Sequence, residues 1–308
     1  MKPKVYIDGK DGTTGLQIYD RLAARDDIGL LLIDEAKRKD PDERKRLMAE
    51  ADIVFLCLPD AAAITAADLV ENPDTVVLDT STAHRTAPGW TYGFPELSPE
   101  REASIRTAKR IAVPGCHASG FIALVYPLVE RGLLSPSAQL TCTSLTGYSG
   151  GGKKMIAEYE GADREYLLNM PRVYGISQQH KHLAEMKSVC GLKSPPAFIP
   201  VVCDYYSGME VCVPLFKDQL AGGAEDIKAV YKELYGGGTV FYAEESEGGF
   251  LSAGRLTGRD TMAVGVFGNE ERILLAARYD NLGKGASGAA VECMNIKLGA
   301  STTKALVL

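Results

Sequence analysis

Apolar residues fall along this chain in short runs, and the spacing of those runs changes near residue 139. Lys4–Asp8 is a β-branched and aromatic run closed by Gly9, and an amphipathic helix follows with Leu16, Tyr19, Leu22 and Ala23 on one face. A strand over Gly29–Ile33 and a helix over Pro41–Glu50 come next, then Ala51–Pro59, whose continuous apolar character predicts a strand buried on both sides. A helix over Ala61–Glu71, a strand over Thr75–Asp79, a polar helix and one more strand lead to Cys116. Such alternation predicts a parallel sheet with helices on both faces. Beyond the Cys116 helix the strands Gln139–Thr146, Ala197–Tyr206, Glu210–Lys217, Thr261–Phe267 and Arg272–Tyr279 come as neighbours. Short turns such as Ser207-Gly208 make them read as antiparallel hairpins, with helices at Ala224–Tyr235 and near Lys181–Val189. Gly147–Lys154 reads as a flexible basic loop, and Gly283–Met294 as glycines passing into a small-residue helix. The expected class is α/β: a Rossmann-type parallel-sheet domain followed by an α+β domain with a mixed or antiparallel sheet.

Composition narrows the function. The 308 residues are 45% apolar and 24% charged, which is ordinary for a globular protein with a full core. A net charge of −6 without a clustered basic face argues against nucleic acid as a partner. No uninterrupted apolar run is long enough for a bilayer, so no membrane partner is expected. The N-terminus enters a strand at once and leaves no room for a signal peptide. Seven cysteines, an odd number scattered through apolar segments, do not read as a disulfide framework; a reducing cytoplasm is the expected setting. Cys57 reads as core.

One cysteine reads differently. Ile111–Phe121 runs from an apolar strand through Pro114-Gly115 into a helix start at Cys116. Unpaired N–H groups and the positive end of a helix dipole converge there and favour a thiolate. Upstream, Gly9, Gly12, Thr13, Thr14 and Gly15 form a G-x-x-G-x-x-G turn between strand and helix, where backbone can approach a pyrophosphate. Asp34-Glu35 lies ~20 residues on, as a ribose-binding acid would, whereas Lys37-Arg38-Lys39 suits a 2′-phosphate; these two signals disagree. Thr80–Arg85 sits at the carboxyl end of a strand, where hydroxyls and Arg85 can hold an anion. The histidines are His84, His117, His180 and His182. His117, adjacent to Cys116 on a helix, should point elsewhere. His180 and His182 share a face on a strand but diverge on a helix, where Glu185 lies under His182 at i+3. No CxxC or HExxH spacing supplies a metal site.

Taken in order, the Gly9–Gly15 turn, Ser81 to Arg85, Tyr92–Leu97, Pro114-Gly115-Cys116, Ser149–Lys153, His180-Lys181-His182 with Glu185, and Gly283–Ser287-Gly288 resemble the N-acetyl-γ-glutamyl-phosphate reductases. The resemblance is to their shorter form, within the wider aspartate-semialdehyde dehydrogenase-like group, and it covers essentially the whole chain. His117, Gly151 and Ala184 stand where longer members usually carry Tyr, Ala and Pro. The resemblance implies NADPH-dependent reduction of an acyl phosphate to a semialdehyde through a Cys116 thioester, with release of phosphate, in arginine biosynthesis. It implies His180 or His182 as acid/base with Glu185 in support, and Arg85, Ser149 and Lys153 at phosphate or substrate. It places NADP(H) against the glycine turn, Lys37, Arg38, Ser81, Asn281 and Gly285. It also implies that the last helix returns to the nucleotide domain, giving 1–115 with 284–308 and a catalytic domain over 116–283, in a homodimer or homotetramer. Aminoadipyl or aspartyl phosphates are the alternative substrates, and a dinucleotide sensor without chemistry is the alternative outside catalysis.

Overall fold

The central strands of the first half are apolar up to the Asp79 that ends one of them, and in the computed structural model, which describes residues 2–308, both of their faces are covered. The chain divides into two units. One comprises the residues through Pro95 with Pro99–Pro114 and Ala286–Leu306; the other comprises Glu96–Ser98, Gly115–Gly285 and the last two residues.

The first unit is built from β1 (Lys4–Asp8), α1 (Thr13–Ala23), β2 (Gly29–Leu31), α2 (Pro41–Glu50), β3 (Ile53–Leu56), α3 (Asp60–Asp68), β4 (Val76–Asp79), β5 (Thr91–Tyr92), α4 (Pro99–Thr107), β6 (Arg110–Ala112) and a closing helix, Gly288–Leu298. Its six strands run in the order β2-β1-β3-β4-β6-β5, all parallel. Alternate residues go to opposite layers. Val5, Ile7, Ile53, Phe55, Val76 and Leu78 pack with Ile18 and Leu22 of α1, Ile105 of α4 and Ala290 and Met294 of the closing helix. Tyr6, Val54, Leu56 and Val77 pack with Leu47 and Met48 of α2 and Ala66 of α3. Fully buried side chains such as Phe55 and Leu78 contribute about 1.5–3 kcal/mol each. The buried stripe of α1 differs from the expected one: Gly15, Ile18 and Leu22 face inward, while Leu16 is 45% exposed and Ala23 is exposed. Ile18 and Leu22, at i and i+4, set the helix rotation because both reach the β1 layer.

The second unit holds α5 (Cys116–Glu130), β7 (Thr141–Gly147), α6 (Gly152–Glu160), β8 (Arg172–Val173), α7 (Leu183–Val189), β9 (Ala197–Cys203), β10 (Met209–Phe216), α8 (Ala224–Leu234), β11 (Val240–Tyr242), β12 (Met262–Gly268) and β13 (Arg272–Tyr279); the closing helix of the first unit is then α9. Its seven strands run β11-β12-β13-β10-β7-β9-β8 in a mixed sheet. α5 packs against β10 and β13, and α7 against α5. β12 and β13 form the expected antiparallel hairpin. β9 and β10 do not, because β7 lies between them, parallel to β9 and antiparallel to β10. The link after β9 crosses the end of β7, where the N–H groups of Gly147, Tyr148 and Ser149 donate to the carbonyls of Gly208, Tyr205 and Tyr206. Those donors need acceptors, and the crossing strand link supplies them. Gly147–Lys154 is also not a flexible loop. Tyr148–Gly151 forms a 3₁₀ turn that runs into α6, where Lys153, Lys154, Met155 and Ala157 are good helix formers. Tyr159 of α6 is buried, with Tyr148 stacked on it at 4.7 Å.

Among the described residues no helix is long and apolar enough to cross a membrane, and no group of three or more His, Cys, Asp or Glu is placed to hold a metal ion. Among the described residues none of the seven cysteines is joined in a disulfide.

Candidate active site

Cys116 is the first residue of α5, with Gly115 as its extended N-cap. The Gly115 N–H, an orphan donor at that helix start, donates to Glu185 Oε2 at 3.1 Å. Glu185 is 1% exposed, on α7, and its Oε1 lies 3.9 Å from His182 Nε2. One carboxylate therefore joins the backbone just before the thiol to an imidazole. From the other side the Tyr279 hydroxyl, at the end of β13, donates to the Cys116 carbonyl at 2.5 Å and accepts from the Gly120 N–H at 3.0 Å. Gly285 lies against the same residue: a Cβ there would sit 3.2 Å from that of Cys116. Cys116 itself is half-buried. Burial pushes up the thiols of Cys142, Cys190, Cys203 and Cys212, and that of Cys57 to about 12, which suppresses their reactivity.

His180 and His182 lie on neither a strand nor a helix interior. They occupy the turn that enters α7, where His182 N–H donates to His180 Nδ1 at 3.2 Å and the rings meet edge to face at 4.8 Å. His117 does not point elsewhere. It is buried beside both, 5.7 Å from the His180 ring and 5.6 Å from that of His182, with Phe198 closing the cluster. The first turn of α5 is covered by α7 and β9, so a residue one position from the thiol is still enclosed by the same walls. Burial and the nearby His180 push His117 down to about 3. Burial and the Lys181 charge push His180 down to about 4.

Both folded-state values lie below the ordinary histidine value near 6.5, so the unfolded chain binds more protons between roughly pH 6.5 and 3. Stability is therefore full above that window and is lost as the pH falls through it. We expect the urea midpoint to be clearly lower at about pH 5 than at pH 7. Equal midpoints would mean that these imidazoles are not buried neutral.

Ser149 and Asn281 meet at 3.0 Å, and Asn281 Oδ1 accepts from the Gly208 N–H, so together they brace the strand link rather than standing free. Lys153 is exposed on the first turn of α6.

In the first unit, β1 ends in Asp8 and Gly9 turns the chain at φ +86°. A side chain at Gly9 would strike the Cys57 carbonyl at 2.3 Å, and one at Gly15 the Gly9 carbonyl at 2.4 Å. Gly12 caps α1, followed by Thr13 and Thr14, and the Thr13 Oγ1 is buried with no hydrogen-bond partner among the described residues. A cavity of about 500 Å³ opens beside this turn, lined among others by Lys10, Tyr19, Glu35, Arg38, Lys39 and Arg44. Lys37 is exposed and lies outside that lining. Arg38 pairs with Asp11 and Glu35, and Arg44 with the buried Asp8 at 2.6 Å. The Lys10 ammonium lies 3.8 Å above the Tyr19 ring. Asp34 accepts the Ala36 N–H at 2.9 Å through Oδ1 and caps a short 3₁₀ turn. Ser81 donates to Asp79 at 2.6 Å, and His84 meets the same carboxylate at 2.6 Å. Arg85 donates to the carbonyls of Val113 and Thr80. Sequence reasoning missed Arg44, Tyr279, the placement of His117, and Tyr174, whose hydroxyl lies 2.5 Å from His117 Nε2. A signal existed for Arg44 alone: a carboxylate at the end of a buried strand needs a cation.

A parallel-sheet unit with a glycine turn, and an α+β unit with a helix-start cysteine beside histidines, define a two-domain dehydrogenase fold. Residues 26–105 match the family model described as semialdehyde dehydrogenase, NAD binding domain, and residues 116–281 match semialdehyde dehydrogenase, dimerisation domain. The chain is 45% identical to N-acetyl-gamma-glutamyl-phosphate reductase 2 of Nostoc sp., over 97% of each. It is 43% identical to N-acetyl-gamma-glutamyl-phosphate reductase of Sinorhizobium medicae, over 97% of this chain and all of that one. Aspartate semialdehyde dehydrogenase II of Vibrio cholerae shares the fold, with a TM-score of 0.74 at 17% identity over 98% of this chain and 99% of that one. Aspartate semialdehyde dehydrogenase with NADP from Candida albicans does so with a TM-score of 0.67 at 15% identity, over 97% and 99%. This chain belongs to the semialdehyde dehydrogenase family, in its N-acetyl-γ-glutamyl-phosphate reductase branch.

Proposed function

We propose that this protein reduces N-acetyl-γ-glutamyl phosphate to N-acetylglutamate semialdehyde and inorganic phosphate, with NADPH as reductant, in arginine biosynthesis. The observation that carries the reading is the carboxylate of Glu185, which accepts from the Gly115 N–H next to the thiol and lies 3.9 Å from His182 Nε2. Whole-length identity to named reductases supports the substrate. A dimerisation-type second unit supports a homodimer or homotetramer, and seven free thiols suit a reducing cytoplasm.

Cys116 thiolate attacks the γ-carbonyl carbon, and the carbon–oxygen bond to phosphate breaks with its electron pair leaving on phosphate. N–H groups at the start of α5 face the developing oxyanion. The thioester keeps the acyl group on Cys116. When bound, the dinucleotide supplies the hydride that brings this acyl carbon to the aldehyde level. His182 gives a proton to the carbonyl oxygen as the tetrahedral carbon forms, and the thiohemiacetal collapses as that proton returns to His182 and the carbon–sulfur bond breaks with its electrons returning to sulfur. Glu185 orients that imidazole.

The first unit fits a dinucleotide. The unpartnered Thr13 hydroxyl and the glycine cradle suit a pyrophosphate at the start of α1. Lys10 and Lys39 line the cavity without a carboxylate partner among the described residues. Those two ammonium groups favour a 2′-phosphate. Lys39→Ala should raise the KM for NADP⁺ about tenfold and leave that for NAD⁺ unchanged. Equal effects on both cofactors would sink the phosphate assignment. The function itself is tested in the reverse direction, with N-acetylglutamate semialdehyde, phosphate and NADP⁺. Phosphate-dependent formation of NADPH is expected, and turnover of aspartate semialdehyde at equal concentration in its place would overturn the substrate.

A further inference from the structure

The second unit buries an ion pair that the mechanism above does not use. Gly283–Ser287 forms a π-turn after β13, in which the Gly285 N–H donates five residues back, to the Asp280 carbonyl at 3.0 Å. Lys284 of this turn is 2% exposed, and its ammonium donates to Glu96 Oε1 and, at 3.2 Å, to Thr239 Oγ1. The Thr239 hydroxyl donates in turn to the same carboxylate oxygen, which closes the cluster. Glu96 belongs to the 3₁₀ turn Pro95–Leu97, and only 16% of its side chain is exposed. Burial opposes its charge, yet the Lys284 ammonium holds its carboxyl below the usual carboxylate range. Its second oxygen, Oε2, is buried without a hydrogen-bond partner among the described residues. Removing two charges from water is costly, and an apolar pair of similar volume packs without that cost. What the ion pair adds over such packing is direction, which fixes where its two backbones lie.

One of those backbones abuts the nucleophile. Gly285 follows Lys284 directly, and a Cβ on it would stand 3.2 Å from the Cys116 Cβ, 3.1 Å from the Asp280 carbonyl and 3.4 Å from the Tyr279 ring. Of Cys116, the Cβ and not the sulfur is the atom nearest to that position. The turn is anchored at its start by Asp280, whose Oδ1 accepts the N–H groups of Leu282 and Gly283 at 2.7 and 3.3 Å. Lys284 supplies the second anchor, one residue before the contact with Cys116. We propose that the Glu96–Lys284 pair, closed by Thr239, holds Gly285 against the Cys116 Cβ and so fixes the direction of the sulfur for attack. Glu96, Thr239 and Lys284 are positioning residues, because they act through Gly285. The proposal rests on the reading of Cys116 as the nucleophile. Misplacing reacting atoms by about 1 Å costs on the order of 10²-fold in rate, which sets the size of the effect.

The test measures kcat and KM of the full-length double variant Glu96→Gln/Lys284→Met in the phosphate-dependent reverse assay. Both charges leave together, so neither is stranded in the interior, and side-chain volume is nearly kept. A kcat about 10²-fold lower is expected, with the KM for NADP⁺ within about twofold of wild type and a similar urea midpoint. Iodoacetamide is small and reaches sulfur from many directions, so its alkylation of Cys116 should keep the wild-type pH midpoint. A raised midpoint would mean that Lys284 acts by its charge on the thiol, and would overturn positioning. A wild-type kcat would overturn it as well. Thr239→Val leaves both charges paired and removes only the bridging hydroxyl, so it serves should the double variant unfold. Its kcat should fall about fivefold, and a wild-type value again overturns the proposal. Should the wild type itself form no NADPH from N-acetylglutamate semialdehyde, the proposed function fails first, and no nucleophile is left to position.

Discussion

Alanine at position 116 should lower phosphate-dependent NADP⁺ reduction by about 10⁴-fold or more. The size follows from covalent catalysis. Without sulfur there is no thioester to hold the acyl group, and water attack on the acyl phosphate gives an acid that hydride cannot reduce under these conditions. The residue is half-buried at a helix start, so replacing sulfur with hydrogen removes few packing contacts. The variant should therefore unfold at nearly the wild-type urea concentration and still bind NADP⁺ through the first unit. Initial rates measured beside a dinucleotide-binding isotherm separate the two. Retention of more than about 1% of the wild-type rate with intact binding would remove the thioester mechanism.

His182→Asn should lower kcat by about 10²–10⁴-fold, the usual worth of a positioned acid/base group, whereas His180→Asn should lower it less than about tenfold. The difference rests on Glu185. His182 is buried with that carboxylate 3.9 Å from its Nε2, while His180 is half-buried and uses its Nδ1 to accept the His182 N–H. His180 thus shapes the turn, and His182 is the proposed acid/base. A dinucleotide-binding isotherm distinguishes this from a packing defect: both variants should bind NADP⁺ as the wild type does. The reverse order of the two variants would give the acid/base role to His180.

Much of the scaffold was legible from periodicity. Ile53–Leu56 and Val76–Leu78 are apolar without alternation because helices cover both faces of a parallel sheet, and that pattern is local. The placement of Cys116 at a helix start was legible as well, because Pro114-Gly115 stops β6 and frees the backbone to cap α5. The register of the second sheet was not. Whether β10 pairs with β9 or β7 depends on hydrogen bonds made by residues about sixty positions apart, and adjacency in sequence favours the wrong partner.

The same distinction runs through the site. Sequence by itself determined the residue types and their order: a glycine turn, a basic triplet, a thiol after Pro-Gly, and an H-x-H stretch with an acid three residues on. Only the tertiary structure decided which of them are neighbours. It gave Asp34 to a backbone cap and left Lys39 on the cavity wall, because a carboxylate next to a free N–H satisfies that donor first. It brought His117, expected to face away, into contact with His180, His182 and Tyr174, because α5 is enclosed on several sides and even consecutive positions meet protein. It also joined Glu185 to Gly115 across seventy residues of chain, since a buried carboxylate needs donors that its own helix does not offer.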